Sequence, residues 1–219
     1  MAMWTRQVTE KRKRFALLKV FLPGIFGFDE TFGMLDDAQI NAALQHAFGE
    51  TQFSDLVTPL LITATDFHSG EMVILREGQL TEAIRASIAM PYIFGPYSVG
   101  DRLLVDGYLS DPLPIGVAIN AGASVILAIG FESPYQASIH SLPRFSFQVN
   151  SIMANNLLKA NFAYRTLVHH SEVILIAPQF GDRIRLFDTE KIPAIIETGR
   201  QSAAEQLPLI EEILAAVKT

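Results

Sequence analysis

The spacing of apolar residues changes several times in the first half of the chain, and each change predicts an element. Asp36 and Gln39 form a capping-box pattern at the start of a helical repeat that Gly49 ends. Residues 57–65 are nearly continuous in apolar and β-branched side chains, as buried strands are. In order, the predicted elements are a helix over 36–48 with a buried stripe of Ile40, Ala43, Leu44, Ala47 and Phe48, a strand over 57–65, a turn over 66–70, a strand over 72–75 and a helix over 80–88 with Leu80, Ile84 and Ile88 on one face.

The second half predicts strands alternating with helices. Pro112 and Pro114 precede a helical pattern that Gly122 ends, and a short strand lies on each side of it. Such a strand, helix and strand predict a βαβ unit with parallel strands. The predicted elements are strands over 103–105, 124–130 and 173–177, a loop over 132–144, a helix over 145–169, and one or two C-terminal helices broken near Pro208. The pattern predicts an α/β fold with three layers, α/β/α, around a mostly parallel sheet.

Composition narrows the class of protein. With 219 residues, of which 49% are apolar and 18% charged, the chain can bury a core as a single domain over 1–219. Its net charge of −6 argues against a nucleic-acid partner, which needs a basic face. The absence of cysteine excludes disulfides, thiolate metal sites and a cysteine nucleophile, and it fits a reducing, cytoplasmic location.

The N-terminus combines a basic run at 11–14 with an apolar stretch at 15–28. Lys19, Pro23 and two glycines interrupt that stretch, which is also shorter than the roughly 20 apolar residues that cross a bilayer. A membrane span is therefore not expected here. Peripheral contact of this basic, apolar start with a membrane surface stays open.

Two aspartates stand directly after predicted strands, where α/β proteins bind ligands. Asp66 follows the strand over 57–65, and Asp106 follows the strand over 103–105. Gly107 comes next and permits a tight turn and the close approach of another group. A carboxylate at either place can act as a general base, bind a metal or form a turn; turn formation is the favoured interpretation for Asp66.

The sequence gives little support for a metal site, a phosphate-binding loop or a serine nucleophile. The five histidines show no metal-binding spacing, and no phosphate-binding G-x-G-x-x-G or Walker pattern occurs. None of the serines lies in the G-x-S-x-G elbow of serine hydrolases; Ser69 lies in a turn, Ser87 in a helix, and Ser124 at the start of a strand. No metal and no cofactor are expected.

An ordered series of short motifs covers 53–131. The motifs are Phe53-Ser54-Asp55-Leu56, Ala64-Thr65-Asp66, Ser69-Gly70, Gly78-Gln79-Leu80, Ala83-Ile84-Arg85-Ala86-Ser87-Ile88-Ala89-Met90-Pro91, Leu104-Val105-Asp106-Gly107-Tyr108, Asp111-Pro112-Leu113-Pro114 and Gly122-Ala123. In this order they resemble the patatin-like phospholipase family. The resemblance implies a lysophospholipase-like fold and a serine acyl hydrolase that uses a Ser-Asp dyad without a catalytic histidine.

The resemblance assigns the dyad aspartate to Asp106, with Gly107 supporting the motif. Tyr108 stands where the family prefers glycine or alanine. The family's G-x-S-x-G serine and its glycine-rich oxyanion loop belong upstream of the part that matches here. The resemblance thus implies an N-terminally truncated patatin-like domain, lacking the oxyanion-loop and nucleophile segment.

Three functional hypotheses follow. The first is the aspartate-bearing part of a lipid acyl hydrolase acting on acyl esters of phospholipids, lysophospholipids or neutral lipids. The second is an inactive relative that binds lipid or a protein partner. The third, an acyltransferase of related fold, is weaker because that class needs a histidine partner and its own G-x-S-x-G. Acyl-chain preference, head group and oligomeric state are not predicted.

Overall fold

The structure is a computed structural model that describes Gly33 and residues 37–133, 135, 138–140, 142–168, 172–180, 184 and 188–217. The chain divides into two compact units, Met1–Ser110 and Asp111–Thr219, and each is described by itself. The predicted features at 11–14 and 15–28, the helix cap at Asp36, and His169 and His170 lie outside the described residues.

Among the described residues, the first unit contains a small antiparallel sheet and two helices. The elements are α1 (Asp37–Phe48), β1 (Ile62–Asp66), β2 (Met72–Leu75), α2 (Leu80–Ser87), β3 (Tyr97–Val99) and β4 (Arg102–Asp106), with 3-10 turns at Phe53–Asp55 and Gly107–Leu109. The strand order is β2-β1-β4-β3, and every pairing is antiparallel. Helix α2 packs on this sheet through Ala86, which clusters with Ala64 of β1 and Leu104 of β4, each of them 0% exposed.

Two expectations for the first unit need correction. The predicted strand over 57–65 begins only at Ile62, and Val57 is fully exposed, so this apolar run is mostly loop. The predicted stripe on α1 is narrower, because Ile40 and Leu44 are buried whereas Ala43, Ala47 and Phe48 are exposed. Helix α2 and strands β2 and β4 form close to their predicted positions, but β3 was not predicted.

In the part of the second unit that the structure describes, there are a pair of parallel strands and three helices. The elements are α3 (Ile115–Asn120), β5 (Val125–Ile129), α4 (Leu142–Val168), β6 (Glu172–Ile176) and α5 (Ile192–Val217), with a 3-10 turn at Thr189–Lys191. Strands β5 and β6 pair in parallel from Val125↔Glu172 to Ile129↔Ile176. Their shared core comprises Leu113, Ile115, Ile126, Ala128 and Leu158. The predicted break near Pro208 is wrong, because α5 continues through this proline and loses only one backbone donor there.

The predicted βαβ unit around α3 is also wrong. Strand β4 has β1 on one edge and β3 on the other, so neither edge is left for β5. Strand β5 pairs instead with β6, and α4 connects these two parallel strands. The pattern of apolar residues predicted strands β4 and β5, but such a pattern does not show which strands pair with each other. The mixed α/β class is confirmed, while the described strand pairs are three antiparallel and one parallel.

Candidate catalytic aspartate

Strand β4 places Asp106 at its carboxyl end, as predicted. In the antiparallel register Asp106 lies opposite Ala64, and Leu104 is two residues earlier on the same strand. Opposite residues and residues two apart share one face of a sheet. Asp106 therefore lies at the end of the face that α2 covers, next to the buried cluster of Ala64, Ala86 and Leu104.

The backbone turns sharply directly after Asp106. Residues Gly107–Leu109 form a 3-10 turn, and the Asp106 side chain caps it, with Oδ1 accepting a hydrogen bond from the Tyr108 amide at 2.9 Å. The Asp106 amide donates to the Ala89 carbonyl at 3.1 Å, just beyond the end of α2. The Tyr108 amide thus orients the carboxyl group, and the Ala89 carbonyl holds the Asp106 backbone.

Gly107 makes the close approach that the sequence predicted, and the group it approaches is the backbone of Thr63. A Cβ atom at position 107 would contact the Thr63 carbonyl oxygen and would lie 2.8 Å from the Thr63 carbonyl carbon. Since backbone cannot move aside as a flexible side chain can, glycine is required for this turn to lie against β1.

Two hydroxyl groups that the sequence did not single out hold the same turn. The Thr65 hydroxyl donates to the Asp106 carbonyl oxygen at 2.9 Å and lies 3.0 Å from the Ser110 hydroxyl oxygen. The Ser110 hydroxyl in turn donates to the Gly107 carbonyl at 3.2 Å. Thr65 is 41 residues from Asp106 in the chain, so no local motif could have revealed this contact.

Burial of the Asp106 carboxyl raises its pKa, and the hydrogen bond from the Tyr108 amide offsets part of that effect. A carboxylate with a raised pKa binds a proton more tightly than an ordinary aspartate does. It is therefore a stronger base towards a hydroxyl group.

Asp66 has the opposite environment. Its Oδ1 accepts hydrogen bonds from the Ser69 and His68 amides, both at 3.0 Å, and these confirm that it forms the predicted turn. The hydrogen bond from the Ser69 amide is the largest cause of a lowered pKa at Asp66, and the His68 amide and the charge of Arg102 act in the same direction. A carboxylate stabilised in this way is a weak base, although Ser69 is close to it.

The antiparallel register does not bring the two aspartates together at one sheet edge, as parallel strands would have done. Asp66 lies opposite Leu104, two residues before Asp106, an offset of about 7 Å along the strands. The structure thus places Asp106 and Gly107 in one partly buried turn, and Asp66 belongs to a separate, exposed turn.

Serine and histidine side chains in the described residues add no obvious catalytic partner. Ser69 accepts a hydrogen bond from the Glu71 amide at 3.2 Å, and Ser110 is engaged with the Gly107 carbonyl as described above. The side chains of His46, His68 and His140 are exposed. Within the described ranges no group of three or more His, Asp or Glu residues could hold a metal ion.

Two further expectations from the sequence concern Tyr108, the residue after Gly107, and membrane-spanning helices. The Tyr108 side chain, which replaces the small residue of the motif, is half-buried beside Asp106. No helix in the described part of the chain is both long enough and apolar enough to cross a membrane.

Comparison with known proteins supports the resemblance drawn from the motifs. The family model for patatin-like phospholipases matches residues 3–119, a region that includes Asp106 and Gly107. An uncharacterised NTE family protein of Mycobacterium bovis is 32% identical over 131 residues, which are 60% of this chain and 34% of that protein. Patatin-like phospholipase domain-containing protein 7 of mouse is 31% identical over 104 residues, 46% of this chain and 8% of that protein.

The chain spans about a third of the length of the mycobacterial relative that it matches. The matched region nevertheless covers more than half of the chain itself, 117 of 219 residues. It contains the whole antiparallel sheet, the Asp106 turn and helix α3 up to Ile119. The chain belongs to the patatin-like phospholipase family.

Proposed function

We propose that this chain forms the aspartate-bearing part of a lipid acyl hydrolase, with Asp106 as the general base of a Ser-Asp dyad. The observation that carries the proposal is the half-buried Asp106 at a strand end, whose carboxyl group is held by the Tyr108 amide in a turn that requires Gly107. The G-x-S-x-G pattern does not occur in the 219 residues, so the serine and the oxyanion donors would come from sequence outside them.

The chemistry needs few groups from this chain. The serine hydroxyl attacks the ester carbonyl carbon of the lipid while Asp106 accepts its proton, and a tetrahedral intermediate forms. Asp106 then gives that proton to the departing alcohol oxygen, whose bond to the acyl carbon breaks and leaves the acyl-enzyme. In the second half of the cycle Asp106 takes a proton from the water that attacks the acyl-enzyme, and it passes this proton to the serine oxygen as the fatty acid is released. The Tyr108 amide holds Oδ1 throughout, so the carboxylate keeps its orientation.

The family name indicates lipid esters as substrates. We propose acyl esters of phospholipids, lysophospholipids or neutral lipids as the narrower class. Such substrates reside in lipid aggregates, so peripheral contact with a membrane surface is part of the proposal.

The proposal is tested in this chain joined to an upstream patatin-like segment that carries G-x-S-x-G. Asp106→Asn preserves the acceptor for the Tyr108 amide but cannot take a proton, so kcat for a lipid ester should fall on the order of 10⁴-fold. Asp66→Asn is the matched control and should change kcat less than tenfold. Full activity of a folded Asp106→Asn variant would contradict the assignment.

Histidine variants separate this proposal from the acyltransferase hypothesis. Alanine at each of the five histidines should leave hydrolysis largely intact, because the dyad uses no imidazole. Loss of hydrolysis in a folded histidine variant would favour the acyltransferase. A folded, extended protein with no hydrolysis at all would favour the inactive relative that binds without cleaving.

A further inference from the structure

Arg85 is a buried charge in a helix that otherwise buries apolar side chains. It lies in α2 and is 1% exposed. Its Nη2 contacts the Asp37 carboxylate at 2.8 Å and donates to the Gly95 carbonyl at 3.1 Å. Its Nε and Nη1 have no hydrogen-bond partner among the described residues.

Most contacts of Arg85 fall on one short segment, residues 89–97, that connects α2 to β3. Besides the Gly95 carbonyl, the guanidinium faces the rings of Phe94 and Tyr97, with its central carbon 5.5 and 5.3 Å from the ring centroids. A guanidinium that bonds a carbonyl and stacks on two rings restricts the segment to one conformation.

These contacts serve the geometry of the segment more than the stability of the fold. A buried guanidinium in which two of the three nitrogen atoms lack a hydrogen-bond partner is less favourable than an apolar side chain of the same size. The Asp37 side chain is 39% exposed, so water can solvate it when Arg85 is absent. Loss of Arg85 should therefore release the 89–97 segment without unfolding the unit.

Both ends of the 89–97 segment are bonded to β4 close to Asp106. At one end the buried Ala89 carbonyl accepts the Asp106 amide at 3.1 Å. At the other end Tyr97 pairs with Leu104, two residues before Asp106. The segment that Arg85 holds thus determines the position of the strand end that carries the carboxyl group.

Gly33 contacts the same segment independently of Arg85. A Cβ atom on Gly33 would contact the Gly95 amide nitrogen and would lie 2.8 Å from the Phe94 carbonyl carbon. Two residues therefore constrain the Phe94–Gly95 peptide: Arg85 donates a hydrogen bond to the Gly95 carbonyl, and Gly33 packs against the peptide because it has no side chain.

We propose that Arg85 is a positioning residue for Asp106, acting through the 89–97 segment. The role rests on the proposed function, in which Asp106 is the base. Arg85 touches no reacting atom; it sets where the Asp106 amide and carboxyl group lie.

The test measures hydrogen exchange of individual amides by NMR in the 219-residue chain. In Arg85→Met, exchange of the Asp106 amide, which is bonded to Ala89, should accelerate at least tenfold more than exchange of the Phe67 amide, which is bonded to the Leu103 carbonyl at the other end of β4. Asp37→Asn is the matched control: it removes the ion pair but keeps the contacts to Gly95 and the rings, so Asp106 exchange should change less than threefold.

Two further variants keep the proposal testable if Arg85→Met does not fold. Arg85→Lys retains the charge but not the planar fork, and should accelerate Asp106 exchange by a smaller factor than loss of the side chain. Gly33→Ala places a methyl group against the Phe94–Gly95 peptide while Arg85 is intact. It should also accelerate exchange of the Asp106 amide more than exchange of the Phe67 amide. Equal acceleration of Asp106 and Phe67 in these variants, or no acceleration, would overturn the proposal, as would an Asp37→Asn effect as large as that of Arg85→Met.

Hydrolysis in the extended protein distinguishes failure of this role from failure of the proposed function. If Asp106→Asn abolishes hydrolysis but Arg85→Met retains the wild-type kcat and pH profile, Arg85 does not position the base and the dyad stands. If selective exchange is seen but Asp106→Asn hydrolyses normally, Arg85 fixes the strand end and the proposed function is wrong.

Discussion

The turns at Asp66 and Asp106 share one local hydrogen-bond pattern but differ in their burial and in the contacts that hold them. Each begins with the last residue of a strand, and each uses that aspartate to accept the amide two residues later. The Asp66 turn is stabilised by amides two and three residues away and is exposed. The Asp106 turn contacts Thr63 and accepts a hydrogen bond from Thr65, and the Asp106 amide donates to Ala89; all three residues lie far away in the chain.

The difference shows how a fold raises the pKa of one carboxyl group and lowers that of another. Local hydrogen bonds in water stabilise the charge on Asp66 and lower its pKa. Partial burial removes water from the Asp106 carboxyl group and raises its pKa. The raised pKa thus accompanies contacts with distant residues, whereas the lowered pKa accompanies hydrogen bonds within one turn.

The largest effect on stability should come from Gly107 in the Asp106 turn, and Gly70 in the Asp66 turn is its comparison. Gly107→Ala should lower the free energy of unfolding by about 3 kcal/mol, because the new methyl group meets the Thr63 backbone. Gly70→Ala should cost about 1 kcal/mol, because Gly70 has φ +75° but nothing within 4 Å of a Cβ atom. Urea denaturation followed by circular dichroism measures both. Equal losses would mean that the Asp106 turn is no more constrained than the Asp66 turn.

A medium effect should come from the hydroxyl group that ties the Asp106 turn to β1. Thr65→Val removes the hydrogen bond to the Asp106 carbonyl and should cost about 1–2 kcal/mol of unfolding free energy. Thr58→Val, at an exposed loop position, is the control and should lie within about 0.5 kcal/mol of wild type. A Thr65→Val variant as stable as this control would show that the turn holds without its non-local support.

The smallest expected effect on stability is that of Asp106→Asn, and whether the variant is more or less stable than wild type tests the direction of the pKa shift. Because the pKa of Asp106 is raised in the fold, its ionisation costs stability, and this cost appears as pH rises from the unfolded to the folded pKa. Asp106→Asn should therefore be more stable than wild type at pH 7, by a margin that disappears in acid. Thermal unfolding between pH 3 and 8, at about one-unit steps, measures it.

Asp66→Asn should behave in the opposite way. The lowered pKa of Asp66 means that its charge contributes stability above the unfolded pKa, and this contribution is lost as pH falls through the folded pKa. The variant should be less stable than wild type at pH 7 and equal to it in strong acid. Curves of the same sign for both asparagine variants would remove the contrast between the two turns.

Local patterns predicted the ends of the strands but not their partners. The end of β4 at Asp106 and the turn at Asp66 follow from residues that are adjacent in the chain. The antiparallel partners of β4 depend on contacts between distant residues, so the predicted βαβ unit was wrong. The exposed apolar residues Val57, Leu60 and Leu61 precede β1, although the sequence predicts a strand there, because composition alone cannot distinguish a buried apolar run from an exposed one.

The candidate site divides in the same manner. The motifs identified Asp106 and Gly107, and a close approach at Gly107 was expected from its lack of a side chain. The group that makes that approach, Thr63, could not be predicted, nor could the support from Thr65. Arg85 was missed because an arginine in a helical pattern is normally assigned to the solvent-facing side.

The fold gives the carboxyl groups of Asp106 and Asp66 opposite pKa shifts. Titration of the aspartate side-chain carboxyl carbons by NMR in the 219-residue chain measures both shifts, with Asp106→Asn and Asp66→Asn assigning the two signals. We expect a midpoint above the ordinary range of aspartate for Asp106 and below it for Asp66. Midpoints that coincide, or that fall in the reverse order, would contradict it.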